Sequence, residues 1–326
     1  MHQRFGARAA VAAIVLFTIA APAAAQVTLR YKWNKGDVLD YRVTLHTTSE
    51  VSGVPGRDDA KTEQTITQQI TQQITLTVDG VAASGVASVH ETVTAIRSEL
   101  TTPNGPIVVD TAAPAQTSQE PIAQSMAKML TAVIGQPINI VLSPDGSVRS
   151  IEGGSRLLER VVAAAGADRD AAMASQALTA IYSDEALRSM LEQSFPRLPP
   201  QPVKPGDTWS GQLALGNQAV GRIAADLTFT LKSVDGADGQ RATISAVMKL
   251  TQAVKPTAGG ATRVSLALGD SHGDGQLVFD VTRGRIISNT MRTEMPSTVS
   301  MIGPEGTPIT FKNRVRTTAT MELVTK

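Results

Sequence analysis

Lys204-Pro205-Gly206-Asp207-Thr208-Trp209, past the midpoint of the chain, repeats a pattern first met at Lys35-Gly36-Asp37. Both are turn signals, since Gly tolerates positive φ and Asp can bond its own backbone. Strand-like sequence follows each. After the first turn, Val38 to Thr48 alternates, with Leu39, Tyr41, Val43 and Leu45 on one side, and a period of two means a half-buried strand. Before it, Val27 to Trp33 reads as the start of the first β-rich half.

The next segment, Lys61 to Val78, carries Ile66, Ile70, Ile74, Leu76 and Val78 at even positions and mostly Thr and Gln at odd ones. Isoleucines four apart also fit one helix face. Six β-branched threonines in the stretch favour strand instead. Eighteen residues at strand rise span roughly 60 Å, and a strand that long twists, so a curled sheet is expected. Asp79-Gly80 turns the chain into Gly85 to Leu100.

The second half echoes this order. A strand is predicted over 219–234, and Val234-Asp235-Gly236 matches Val78-Asp79-Gly80. Thr228 to Leu231 corresponds to Thr75 to Val78, and Ala242-Thr243-Ile244 to Ala87-Ser88-Val89. Val278 to Ile286 corresponds to Val141 to Val148, each a hairpin with Gly at its turn. Gly80 to Gly146 exceeds Gly236 to Gly284 by 18 residues, the length of one extra helix at 118–135 in the first half. There Ile122, Met126, Met129, Leu130, Val133 and Ile134 form a stripe, with Ser118 as cap, Pro121 in the first turn and Gly135 at the end.

These landmarks predict an α+β, mainly β fold: two related antiparallel curled-sheet halves with helices packed between or against them. Residues 1–25 read as a signal peptide, with Arg4 and Arg8, an apolar run from Ala9 to Ala20, and Ala23-Ala24-Ala25 before Gln26. The run is shorter than the roughly 20 residues of a membrane span. Residues 26–152 form the first half. A helical segment follows at 153–195, in which Leu157, Leu158, Val161 and Val162, then Leu178, Ile181 and Tyr182, then Leu187, Met190 and Leu191 are the apolar positions. Five prolines within 196–205 give a stiff extended connector, and 206–326 is the second half.

The Tyr31 to Asp37 stretch, Pro202 to Trp209, and Gly275 to Asp280 with Gly284-Arg285-Ile286 resemble landmarks of an uncharacterised family of exported bacterial proteins. That resemblance implies an exported, β-rich protein and carries over no catalytic residue. Helices on the concave side of a long curled sheet also look like the periplasmic lipoprotein-carrier fold, an analogy of architecture alone.

Export without any cysteine excludes disulfides and a lipid-modified N-terminal cysteine, and suits a bacterial periplasm or exterior. Removing residues 1–25 takes away two arginines and no acid, leaving 28 basic against 29 acidic residues. That balance gives no electrostatic reason to expect nucleic acid or an anionic membrane surface. No later segment has the apolar length of a membrane span.

Chemical motifs are scarce. His90-Glu91 begins a zinc-protease pattern, but Thr94 stands where the second His belongs. Asp270 to Gly275 resembles the start of a calcium loop but lacks its ligand pattern, and reads as a polar hairpin loop. Glu91 and Glu99 sit at even spacing on one strand, so both should share a face, more in keeping with a solvated surface than an acid–base pair. Methionines at 126, 129, 173, 190, 291, 295, 301 and 321 fit core packing first, then an apolar-ligand lining, then cuprous ion. The expectation is a non-catalytic binding protein without cofactor or metal. It would hold a lipid-like or other apolar ligand near Ile66, Ile70, Ile74, Met126, Met129, Leu130 and Met190. The alternative is a structural module of the cell envelope with a protein partner; a hydrolase with an unrecognised site is the third reading.

Overall fold

A computed structural model of the chain describes residues 26–53, 64–102, 105–165, 184–217, 221–236, 240–254, 264–302 and 308–324. The first half contains β1 (Val38–Ser52), β2 (Gln64–Val81), β3 (Ala87–Thr102), β4 (Gly105–Asp110), helix α1 (Pro121–Val133), β5 (Pro137–Leu142) and β6 (Val148–Glu152). Helices α2 (Gly154–Ala165) and α3 (Asp184–Ser194) follow. The second half contains β7 (Thr208–Asn217), β8 (Gly221–Asp235), β9 (Arg241–Val254), β10 (Val264–Leu268), β11 (Ser271–Asp280), β12 (Arg285–Ile302) and β13 (Pro308–Leu323).

All thirteen strands lie in one sheet, ordered β6-β5-β3-β2-β1-β13-β12-β11-β9-β8-β7, with β4 beside β3 and β10 beside β12. Each half is an antiparallel meander paired in chain order. The halves meet where β13 pairs with β1, from Tyr41↔Leu323 to Ser52↔Lys312. The sheet does not close. Its edges are β6 and β7, and α3 packs against both, while α2 bridges α1 and α3.

The two halves agree residue by residue at their landmarks. In the first turn Asn34 N–H donates to Asp37 Oδ2 at 3.1 Å, and Gly36 N–H donates to the Val78 carbonyl at 2.9 Å. In the second, Lys204 N–H donates to Asp207 Oδ2 at 2.9 Å, and Gly206 N–H donates to the Leu231 carbonyl at 2.8 Å. Gly36 and Gly206 both have positive φ, +87° and +95°, which is why Gly stands at both. Val78 pairs with Val89 and Leu231 with Ile244, and each pair is followed by a one-residue bulge, at Asp79 and at Lys232. The hairpins match too: a bulge separates Val141 from Leu142 against β6, and Val278 from Phe279 against β12.

This register corrects one correspondence. Val78 is the counterpart of Leu231, and Val81, paired with Ala87, is that of Val234, paired with Ala242. Matching the two Val-Asp-Gly triplets is three residues out, because the first straddles the bulge inside β2 while the second stands at the end of β8. Three further local expectations change. The helix expected over 118–135 is α1, and Ser118 does not cap it; its hydroxyl accepts the Val108 N–H at 2.9 Å while Glu120 takes the N-cap position. The Asp270 to Gly275 stretch is no hairpin loop: β11 begins at Ser271 and pairs with β9 and β12. The prolines over 196–205 do give extended chain, but it is laid against the body, with Leu198 buried and Val203 bridged to Val27. Leu178, Ile181, Tyr182 and the segment 1–25 lie outside the described residues.

The extended N-terminal segment plugs one end. Val27, Leu29, Tyr31 and Trp33 alternate inward and are buried. Tyr31 N–H donates to the Pro144 carbonyl at 2.8 Å, and Lys32 N–H to the Gly284 carbonyl at 3.0 Å. Neighbouring residues thus bond the equivalent hairpin turns of the two halves. The Tyr31 ring meets Trp33, Phe195 and Phe279 at centroid distances of 6.0, 5.9 and 5.4 Å.

A Cβ on Gly284 (φ +63°) would lie 2.5 Å from the Lys32 backbone nitrogen, whereas one on Gly206 meets nothing within 4 Å. Gly206→Ala should therefore cost only the left-handed conformation, about 1–2 kcal/mol. Gly284→Ala should cost clearly more, because it also displaces the plug. Urea unfolding of the two variants checks this; equal losses would mean that the plug is not clamped at this turn.

Candidate ligand-binding cavity

One face of the sheet borders a single cavity of about 710 Å³. Its wall takes side chains from β1 (Val43, Leu45), β2 (Ile70), β3 (Val93, Ile96), β8 (Leu227, Phe229), β9 (Met248, Leu250), β12 (Met291, Met295) and β13 (Ala319, Met321). Strands from both halves can share one cavity only if the sheet curls around it. Helices supply the remaining wall, with Met126, Met129, Leu130 and Val133 from α1, Leu157 and Val161 from α2, and Leu187 and Met190 from α3. The volume lies within the roughly 300–1,000 Å³ of small-molecule sites.

Strand alternation explains who faces inward. Odd positions of β1 and even positions of β2 share the concave face, as the pairs Leu39↔Leu76, Tyr41↔Ile74, Val43↔Gln72 and Leu45↔Ile70 require. Towards the plug these pairs are core: Leu39, Tyr41 and Leu76 are buried, and Ile74 packs against them. Further along, Gln72, Ile70 and Gln68 face the cavity. Of the seven ligand-site candidates, Ile70, Met126, Met129, Leu130 and Met190 line the wall. Ile74 belongs to the core at the plugged end, and Ile66, on the same face, is 40% exposed outside the lining. On α1, Ile122 turns to solvent at 55% exposure, and the buried positions are Ala123 and Val133.

Seven methionines, at 126, 129, 190, 248, 291, 295 and 321, converge on this wall. The thioether chain is unbranched and polarizable, so such a wall can adapt to occupants of different shape. Met248 carried no sequence signal beyond its place on a strand, and Met173 lies outside the described residues.

Glu91 is the residue that sequence reasoning set aside. It pairs with Leu76 on β2 and Ile138 on β5, and its side chain lines the cavity. Glu99 does not share its face. β3 is bulged between Val93 and Ala95 against β2, and the extra residue, Thr94, reverses the alternation beyond it. Glu99 then faces outward and accepts from Arg97 Nε at 2.9 Å, while Arg97 also reaches Asp110 at 3.0 Å. Glu91 has no hydrogen-bond partner among the described residues. Glu91 is half-buried on this wall, and loss of hydration there pushes its carboxyl up from 4.5 to about 7. Of the histidines, His90 faces the other way and meets Asp79 at 2.9 Å.

A family model described as a family of unknown function, DUF6263, matches residues 84–283, more than half of the chain. The chain belongs to this family. No curated protein matches it. Among solved structures, lipovitellin, described for its lipid–protein interactions, is similar over 90% of this chain at 9% identity and a TM-score of 0.45; this chain spans 26% of that one. DynF from the dynemicin biosynthesis pathway of Micromonospora chersina aligns over 99% of this chain and 94% of its own at 10% identity, with a TM-score of 0.20. OpdQ of Pseudomonas aeruginosa aligns over 89% of this chain and all of its own at 7% identity, with a TM-score of 0.18.

The raised carboxyl has a consequence for stability. Between pH 4.5 and about 7 the native state keeps the Glu91 proton that the unfolded chain has lost. A native state that binds more protons weakens as pH rises, so Glu91 costs stability progressively through this window and fully above it. The shift corresponds to about 3 kcal/mol. Glu91→Gln should gain on the wild type by that order between the acid and alkaline ends of the window in urea melts. A difference that stays flat would show a hydrated, ordinary carboxyl.

Proposed function

We propose that the chain is exported and acts, in the periplasm or outside the cell, as a non-catalytic binding protein for a lipid-like or other apolar ligand. The observation that carries this reading is the cavity between curled sheet and helices, walled by seven methionines and by aliphatic side chains of both halves. An apolar, adaptable wall suits molecules recognised by shape and hydrophobicity. A structural module would gain more from a packed interface, because unfilled apolar volume in a core costs stability. Export rests on the signal-like residues 1–25 and the lack of cysteine.

Native mass spectrometry of protein recovered from a periplasmic host should show an adduct of lipid mass that disappears on solvent extraction, on a chain beginning at Gln26. The extracted protein should take up the neutral dye N-phenyl-1-naphthylamine. Ala319→Trp, which adds an indole to the cavity wall, should weaken dye binding at least about tenfold with unchanged far-ultraviolet circular dichroism, as overpacking alone costs about 1–3 kcal/mol. A bare polypeptide that takes up no dye would sink the binding role and favour an envelope module acting through a protein partner.

A further inference from the structure

We infer that the cavity ligand is an uncharged amphiphile whose apolar body lies against the methionine wall and whose hydroxyl or carbonyl oxygen hydrogen-bonds the Glu91 carboxyl. This rests on the binding role proposed above and adds the chemical class of the ligand. Glu91 stands where the wall grades into core: Val89, two residues before it on β3, is buried, and Val93, two residues after it, lines the cavity. Its cross-strand neighbours on the inner face, Leu76 and Ile138, are both buried and apolar. A carboxyl in such a wall loses hydration and recovers nothing from the protein, a cost removed only by a hydrogen-bonding partner. Among the described residues none is offered, which leaves this half-buried carboxyl open on the cavity side to a group of the ligand.

The surroundings select the charge of that group. β2, β5, α1 and α2 contribute no charged side chain to the cavity wall. Among the described residues the other charged side chains on it are Glu192 of α3 and Arg197 just beyond that helix, and neither perturbs Glu91, whose shift comes from loss of hydration. A cationic head would require an ion pair in a desolvated apolar setting, where the cost of stripping water offsets much of the attraction. The protonated carboxyl, by contrast, donates its O–H to a neutral oxygen and accepts a hydroxyl in return, with no buried charge.

The test is displacement of bound N-phenyl-1-naphthylamine by 1-decanol and by decylamine, near pH 6 and near pH 8.5, for wild type, Glu91→Gln and Glu91→Leu. If only the acid form holds the alcohol, decanol affinity falls up to about thirtyfold from the lower to the higher pH in the wild type. Glu91→Gln should keep the low-pH affinity and lose the pH dependence; Glu91→Leu should bind decanol about tenfold more weakly relative to the dye, one hydrogen bond's worth. Decylamine displacing better than decanol at high pH, and failing with Glu91→Gln, would overturn the inference in favour of a cationic ligand. Decanol affinity indifferent to pH and to both variants would overturn it by removing Glu91 from the site, and either result leaves the cavity role standing. Failure of the dye to bind the wild type would strike down the cavity role and this inference together.

Discussion

The pairing of β1 with β13 is the constraint on which the rest depends. Each meander alone would end in a long exposed edge, a template for association with other chains. The pairing removes both of those edges at once and leaves β6 and β7 at the ends of the strand path, where α3 packs against both. Its inner side sets Val43 opposite Met321 and Leu45 opposite Ala319, so residues from the two ends of the chain meet on one cavity wall. Its outer side carries Glu50, Arg314, Arg316 and Glu294 in cross-strand ion pairs of 2.5–3.9 Å. Exposed pairs of this kind, screened by water and salt, contribute little. The ladder and the inward apolar pairs therefore hold the seam, joining residues far apart in sequence at the entropic cost of closing a long loop.

How much of this was legible follows from where alternation is interrupted. The turns at Gly36 and Gly206 were readable because their chemistry is local: a glycine at positive φ and an aspartate bonding its own backbone. The inward set Leu39, Tyr41, Val43 and Leu45 was readable because β1 runs unbroken. The bulges at Asp79, Thr94 and Lys232 were not, since one extra residue in a strand leaves no mark in composition yet turns every later side chain to the other face. The bulge at Thr94 is what made Glu91 and Glu99 read as sharing a face. The methionine wall was half legible. Met126 and Met129 stood out on a helical stripe, but convergence with Met248, Met291 and Met321 depends on the curl of the sheet, which no local pattern encodes.

The distribution of side chains argues that the cavity differs in kind from the core beside it. Aromatic residues are 3% of the chain, yet four of them, Tyr31, Trp33, Phe195 and Phe279, gather at the plug. Rigid rings interlock there with the hairpin turns of both halves and fix the end of the structure. Around the cavity the wall is instead mostly methionine, leucine, isoleucine and valine, with Phe229 its one aromatic ring among the described residues and Gln68 and Gln72 interspersed on β2. A sheet that needed only to bury its concave face could use the same packing throughout, and a leucine at position 91 would complete β3 at no electrostatic cost. A carboxyl there lowers stability at neutral pH and supports no neighbour. A residue that opposes folding on an adaptable wall is the combination expected under the proposed binding role, in which stability is given up for recognition.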